Sequence, residues 1–144
     1  MSDETSWYKI QNKETSPTNF CGFFIPYLKK GVVYYQRDKK NRPHITVCIV
    51  EVETLNNSGI REFHIGLANW NATADKSTFS KKRGKFIAIN RLITNPNEVL
   101  VLENNDPLDN DHLSTEFLES LPVQFNLKEL IRIFNETFYN EPIK

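Results

Sequence analysis

Val32-Val33-Tyr34-Tyr35, a polar run from Gln36 to Pro43, and His44-Ile45-Thr46-Val47-Cys48-Ile49-Val50-Glu51-Val52 decide the architecture. β-Branched and aromatic side chains crowd both ends of this stretch, and turn-forming residues fill its middle, which predicts two strands joined by a hairpin. Asn56-Asn57-Ser58-Gly59 then supplies residues that tolerate positive φ, so a third strand is predicted from Arg61 to about Trp70. Further on, the turn Asn95-Pro96-Asn97 leads into a short strand over 98–103, centred on Val99-Leu100-Val101-Leu102. Working outward gives three or four antiparallel strands in meander order. Residues 1–19 read as a partly ordered N-terminal arm anchored only by Trp7, Tyr8 and Ile10. Residues 20–144 read as a single α+β domain.

Helices supply the cover for this sheet. Asp75, Ser77 or Thr78 can cap a helix that Phe79 opens and that runs through Leu92. At about 100° per residue, Phe79, Phe86, Ile89 and Ile93 share one side, the stripe expected to dock on the sheet. The opposite side carries Lys81, Gly84, Lys85, Ala88 and Arg91. Glycine inside a helix costs ~1 kcal/mol relative to alanine. Gly84 therefore marks either a close approach by a partner's backbone or phosphate, or tight packing or a kink within the fold. A short extra helix is expected from about Ser114 to Leu121, ended by Pro122. A second main helix starts at Asn126, whose side chain forms a capping pair with Glu129. Leu127, Leu130, Ile131, Phe134 and Phe138 recur at helical spacing and make one face apolar. That face is core or a dimer seam, and core is favoured because the sheet needs a cover.

A length of 144 residues suits one domain, and 39% hydrophobic with 25% charged residues is ordinary for a globular chain. No run approaches the roughly 18 apolar residues of a membrane span. The start, Met1-Ser2-Asp3-Glu4-Thr5, lacks the basic and apolar pattern of a secretory signal. A cytoplasmic location is expected, with Cys21 and Cys48 as thiols. The net charge of zero hides a division: residues 1–96 carry +7 and residues 97–144 carry −7. No Lys or Arg occurs between residues 97 and 127, where Asp106, Asp109, Asp111, Glu116 and Glu119 accumulate. Such asymmetry points to a polyanion or a charged protein as partner.

Catalytic patterns are sparse. His44-Ile45-Thr46-Val47 matches the H-x-T-x signature of two-histidine phosphodiesterases, but the only second copy, His64-Ile65-Gly66-Leu67, lacks the hydroxyl. A hairpin turning at 56–59 places His64 near Glu51 and His44 opposite Asn71, more than about 20 Å away at ~3.3 Å per residue. His44, His64, His112 and the two cysteines have none of the close pairs of zinc sites, and no glycine-rich phosphate loop occurs. A non-catalytic binding protein without metal or cofactor is therefore expected. The basic part holds most of the aromatics, and rings beside cations are what single-stranded DNA or RNA requires. Candidate contacts are Lys81, Lys82, Arg83, Gly84, Lys85 and Arg91 on the helix, and Lys39, Lys40 and Arg42 at the first hairpin. Tyr34 and Tyr35 point to opposite faces, so only one can be a stacking platform, and Tyr35 is the candidate. The acidic part would then be a self-contact, a homodimer contact or a docking site.

The stretch Thr78-Phe79-Ser80-Lys81-Lys82-Arg83-Gly84-Lys85-Phe86-Ile87-Ala88-Ile89-Asn90-Arg91-Leu92 resembles a helix of small, uncharacterised phage-encoded α+β proteins, with the pattern F-S-x-K-x-G-(K or R)-x-I-A-x-x-R. The likeness spans about 15 of the 144 residues and departs at Phe86 and Asn90. It implies a virus or mobile element as the source, and the host cell cytoplasm as the location. It also implies a rival function: inhibition of a host defence complex, in the manner of an anti-CRISPR protein. That would work by protein–protein contact or by using the acidic segment Glu98 to Glu119 as a nucleic-acid mimic.

Overall fold

A computed structural model describes residues 7–11, 19–37, 43–54, 59–69, 81–103, 106–122 and 124–139. Strands β1 (Trp7–Gln11), β2 (Asn19–Phe20), β3 (Phe23–Phe24), β4 (Leu28–Arg37), β5 (Pro43–Val52) and β6 (Ile60–Asn69) precede helix α1 (Lys81–Thr94). Strand β7 (Glu98–Glu103), a 3-10 turn (Asn110–His112), α2 (Thr115–Ser120) and α3 (Leu127–Tyr139) follow. The fold is α+β, as the residue pattern predicts. Strands β4 to β7 form a four-stranded antiparallel meander, to which β1 adds as a fifth strand along β4, in the order β1-β4-β5-β6-β7. The segment holding Trp7, Tyr8 and Ile10 thus joins the sheet edge, with Trp7 opposite Gln36. β2 and β3 form a separate two-stranded hairpin.

Both faces of the main sheet are covered, because alternate residues on the central strands are apolar on both sides. Val32, Tyr34, Ile45, Val47, Ile49, Phe63, Ile65, Leu100 and Leu102 pack under α3, α2 and the segment around Leu108 and Leu113. Val33, Tyr35, Cys48, Val50 and Ala68 pack under α1 together with Phe20 of the hairpin. Phe20 reaches β4 at Gly31, where a Cβ would stand 2.5 Å from its ring.

α3 buries Leu130, Ile133, Phe134 and Phe138, so the predicted apolar face is core. Asn126 caps it, its Oδ1 accepting from Glu129 N at 3.2 Å. The fully buried Gln36 holds the preceding loop, accepting from Asn126 N at 2.8 Å and donating to Gln124 O at 2.5 Å. At the far end, Lys30 Nζ and Arg61 Nη1 each donate at 3.0 Å, to Thr137 O and Phe138 O. Cations there complement the negative end of the helix dipole. Arg61 is in turn held by the buried Glu51, with Nε–Oε2 at 2.8 Å and Nη2–Oε1 at 2.9 Å.

Tyr34 hydrogen-bonds the Thr137 hydroxyl from within the core, and burial pushes its phenol up to about 12. In the unfolded chain a tyrosine ionises near 10, so above that pH the unfolded state sheds a proton that the folded state keeps. Stability is therefore intact below about pH 10 and falls as pH rises towards 12, by roughly 2–3 kcal/mol at the upper end. Urea midpoints measured from pH 9 to 12 should show this loss, and Tyr34→Phe should remove most of the slope in that window. An unchanged slope would mean that Tyr34 ionises without unfolding.

α1 meets the sheet through a different stripe from the one expected. Gly84, Ala88, Ile89 and Leu92 are buried, whereas Phe86 is 55% and Ile93 42% exposed. The reason lies in β6. A Cβ on Gly66 would sit 2.0 Å from the Ala88 carbonyl oxygen and 2.8 Å from Leu92 Cβ, so the helix backbone rests directly on the strand. A stripe containing Phe86 would hold the helix off; the small residues let it approach, and dispersion contacts accumulate only at close range. Gly84 belongs to this buried seam, which corrects its assignment to an outward face meeting a partner or phosphate. Both cysteines are free thiols, and burial pushes the Cys48 thiol well up, with Cys21 adding to the rise and Lys85 opposing it. No described helix is long and apolar enough to cross a membrane.

Candidate nucleic-acid interface

The first turn of α1 carries Lys82 and Arg83, both exposed, and no acid. Cations there oppose the positive end of the helix dipole, at a cost of ~0.3–1 kcal/mol each. A local choice that works against stability is characteristic of functional positions. Lys85 is half-buried. Arg91 ties the other end of the helix to β6, its Nη1 donating to Leu67 O at 2.8 Å. The side chain of Lys81 and the residues Lys39, Lys40 and Arg42 lie outside the described residues.

One turn beyond Arg83, Phe86 stands beside the β2–β3 hairpin, its ring centroid 5.5 Å from that of Phe23. Phe24 on the same hairpin is 66% exposed and Tyr27, just beyond it, 56%. Phe86 thus stands outward one turn from the basic residues, with Phe24 exposed on the adjoining hairpin, whereas Tyr27 lies towards the C-terminal end of α1 beside Leu92 and Ile93. Tyr35 is not an outward ring. It is 1% exposed beneath α1, and Tyr34 is equally enclosed beneath α3. Neither tyrosine can be a stacking platform, because helices cover both faces of the sheet. Sequence reading counted Phe24 and Phe86 among the aromatics of the basic part but turned Phe86 towards the sheet, and the signal for its outward position was Gly66: glycine inside a strand marks close approach by another backbone, which demands small residues on the helix side.

The acidic residues Asp106, Asp109, Asp111, Glu116 and Glu119 are all exposed. Their segment packs on the α3 side of the sheet through Leu108, Leu113 and Phe117. Asn135 holds it there, receiving Leu108 N at 2.8 Å and donating to Leu108 O at 3.1 Å. Asp109 and His112 cap the 3-10 turn reciprocally. Glu98 accepts from Ser114 N at 2.7 Å and Oγ at 3.0 Å, fixing the N-cap of α2. The sheet therefore lies between the acidic segment and the basic helix.

His64 stands across from Val50, six positions along β5 from His44, roughly 20 Å at ~3.3 Å per residue. The sheet does not bring the two histidines together. His64 Nε2 instead contacts Glu62 Oε2 at 2.7 Å. Among the described residues no group of three or more His, Cys, Asp or Glu side chains is placed to hold a metal ion. No protein-family model, no curated protein and no solved structure matches this chain.

Proposed function

We propose that the chain is a phage-encoded, non-catalytic protein that binds single-stranded nucleic acid on the outer side of α1 and the adjoining hairpin. One observation carries the reading: an exposed basic turn, lying against the helix dipole's preference, stands beside outward aromatic rings and is separated by the sheet from the acidic segment. Lys82, Arg83 and Lys85, with Lys81, follow the phosphates, while Phe86 and Phe24 offer faces to bases. Stacking is sequence-tolerant and contributes roughly 1–3 kcal/mol per base.

Fluorescence anisotropy with a labelled oligothymidylate tests this. Affinity should fall steeply with salt, and removing one phosphate-contacting charge should lower the log–log slope by about 0.7. Phe86→Ala should weaken binding by about 5- to 100-fold while leaving the salt slope unchanged. Lys82→Glu should weaken binding yet raise thermal stability slightly, since an acid at the start of a helix suits the dipole. Opposite signs for binding and stability distinguish contact loss from misfolding. Binding that is absent or indifferent to salt sinks the proposal.

A second reading rests on the exposed acids of the α3 side. As an inhibitor of a host defence complex, the chain would present Asp106, Asp109, Asp111, Glu116 and Glu119 to a basic cleft. Capture of a host nuclease in stoichiometric amounts, abolished by Asp109→Lys with Asp111→Lys, would favour it over nucleic-acid binding.

A further inference from the structure

A groove of about 590 Å³ opens on the α1 side of the sheet, away from the basic turn, between the C-terminal end of α1, the loop 25–27 and the ends of β5 and β6. Its volume falls in the range of small-molecule sites, about 300–1,000 Å³. We infer that this groove binds a small organic cation with a flat apolar body.

Ile25, Pro26, Val52 and Leu92 make the apolar wall. The polar lining is acidic, with Glu53 and Glu62 and with no Lys or Arg among the lining residues. Glu62 is held in place by His64, 2.7 Å away, and is itself one-third exposed, so it keeps acceptor capacity facing the groove. The last turn of α1, which ends at Thr94, contributes Leu92 and Ile93 to the lining, so the negative end of the helix dipole lies near the same space. At the rim the Tyr27 ring is 56% exposed, and a cation over such a face gains roughly 0.5–1 kcal/mol at an exposed site. The wall is braced: Glu53 N donates to Tyr27 O at 2.8 Å, tying the loop to the end of β5. Two carboxylates, a helix C-terminus and an aromatic rim all favour positive charge, and the wall between them favours an aryl or alkyl body. An anion of the same shape meets the opposite field.

Benzamidine is the probe, with benzamide as its neutral counterpart and benzoate as its anionic one, each titrated into the whole protein and followed by amide chemical shifts. Benzamidine should give saturable shifts confined to residues 25–27, 52–54, 62–64 and 92–93. Benzamide should bind at least about tenfold more weakly, and benzoate should give no shifts in this set. Glu53→Gln and Glu62→Gln should each weaken benzamidine about 3- to 10-fold, as expected for charge-assisted contacts that remain partly solvated. No shifts up to 10-fold the expected ~1 mM dissociation constant of so small a ligand, equal binding of benzamide, shifts centred on residues 106–119, or undiminished binding by the double variant would each overturn the inference. Should the double variant fold poorly, the comparison of the three probes on the unaltered chain decides the matter. No nucleic acid is present, so the outcome is independent of the function proposed above.

Discussion

Arg61→Met is expected to destabilise the fold by about 3–5 kcal/mol, because it leaves the Glu51 carboxylate buried without its bidentate partner. Glu51 is 3% exposed, and its remaining cation, Lys29, is 3.5 Å away with a side chain 48% exposed. Such a distant, solvated ammonium replaces little of what is lost, although it places the effect towards the lower end. Arg61 also joins the C-terminus of α3 to the sheet through Phe138 O, and its guanidinium lies 4.6 Å from the Tyr139 ring centroid. The variant should therefore loosen α3 as well as lower the urea midpoint. Glu51→Leu combined with Arg61→Met removes both charges and should recover most of the loss, to within about 1–2 kcal/mol of the parent, since a buried ion pair adds little over an apolar pair of similar volume. A double variant as unstable as the sum of its singles would show that the pair is not the coupled unit described.

Gly66→Ala should lower stability by about 3 kcal/mol, the upper part of the range for overpacking. Alanine suits a strand better than glycine, by about 0.5–1 kcal/mol, but the clash decides the sign. The new methyl would lie 2.0 Å from the Ala88 carbonyl oxygen and 2.9 Å from Leu92 N, both backbone atoms that no rotamer change can move. α1 must lift as a body. At roughly 2–4 °C per kcal/mol for a chain near this length, the melting temperature should fall by about 6–12 °C. Lys82, Arg83 and Phe86 ride on the same helix, so the oligonucleotide binding proposed for them should weaken with it even though Gly66 is buried. A melting temperature within 2 °C of the parent would refute the close seating of α1 on β6.

Local patterns were enough for most elements. The alternation of Val32 to Tyr35 and Ile45 to Val52, Ser114 before α2 and Asn126 before α3 each state a preference that the fold obeys. The stripe of α3 was legible because its large apolar residues all lie on one side. That of α1 was not. Its largest apolar residue, Phe86, and Ile93 face outward, and the seam consists of Gly84 and Ala88 together with Ile89 and Leu92. Hydrophobic periodicity ranks residues by size, whereas close helix-on-strand packing selects some of them for smallness. The same limit explains Tyr35, since a ring on a strand reads as a platform or as core according to what covers that face.

By itself, the order of residues determined the four strands of the meander, the helices and the division of charge along the chain, though not the pairing of β1 or the β2–β3 hairpin, because propensity, capping and composition are properties of neighbours. Only the tertiary structure decided that the basic turn of α1 and the acidic segment 106–119 lie on opposite sides of one sheet. It also set α1 down on Gly66 with Lys82, Arg83 and Phe86 outward, and it brought Glu53, Glu62 and Tyr27 to one groove. Those outcomes depend on which face each helix covers and how near it comes, and these are fixed by contacts between residues tens of positions apart.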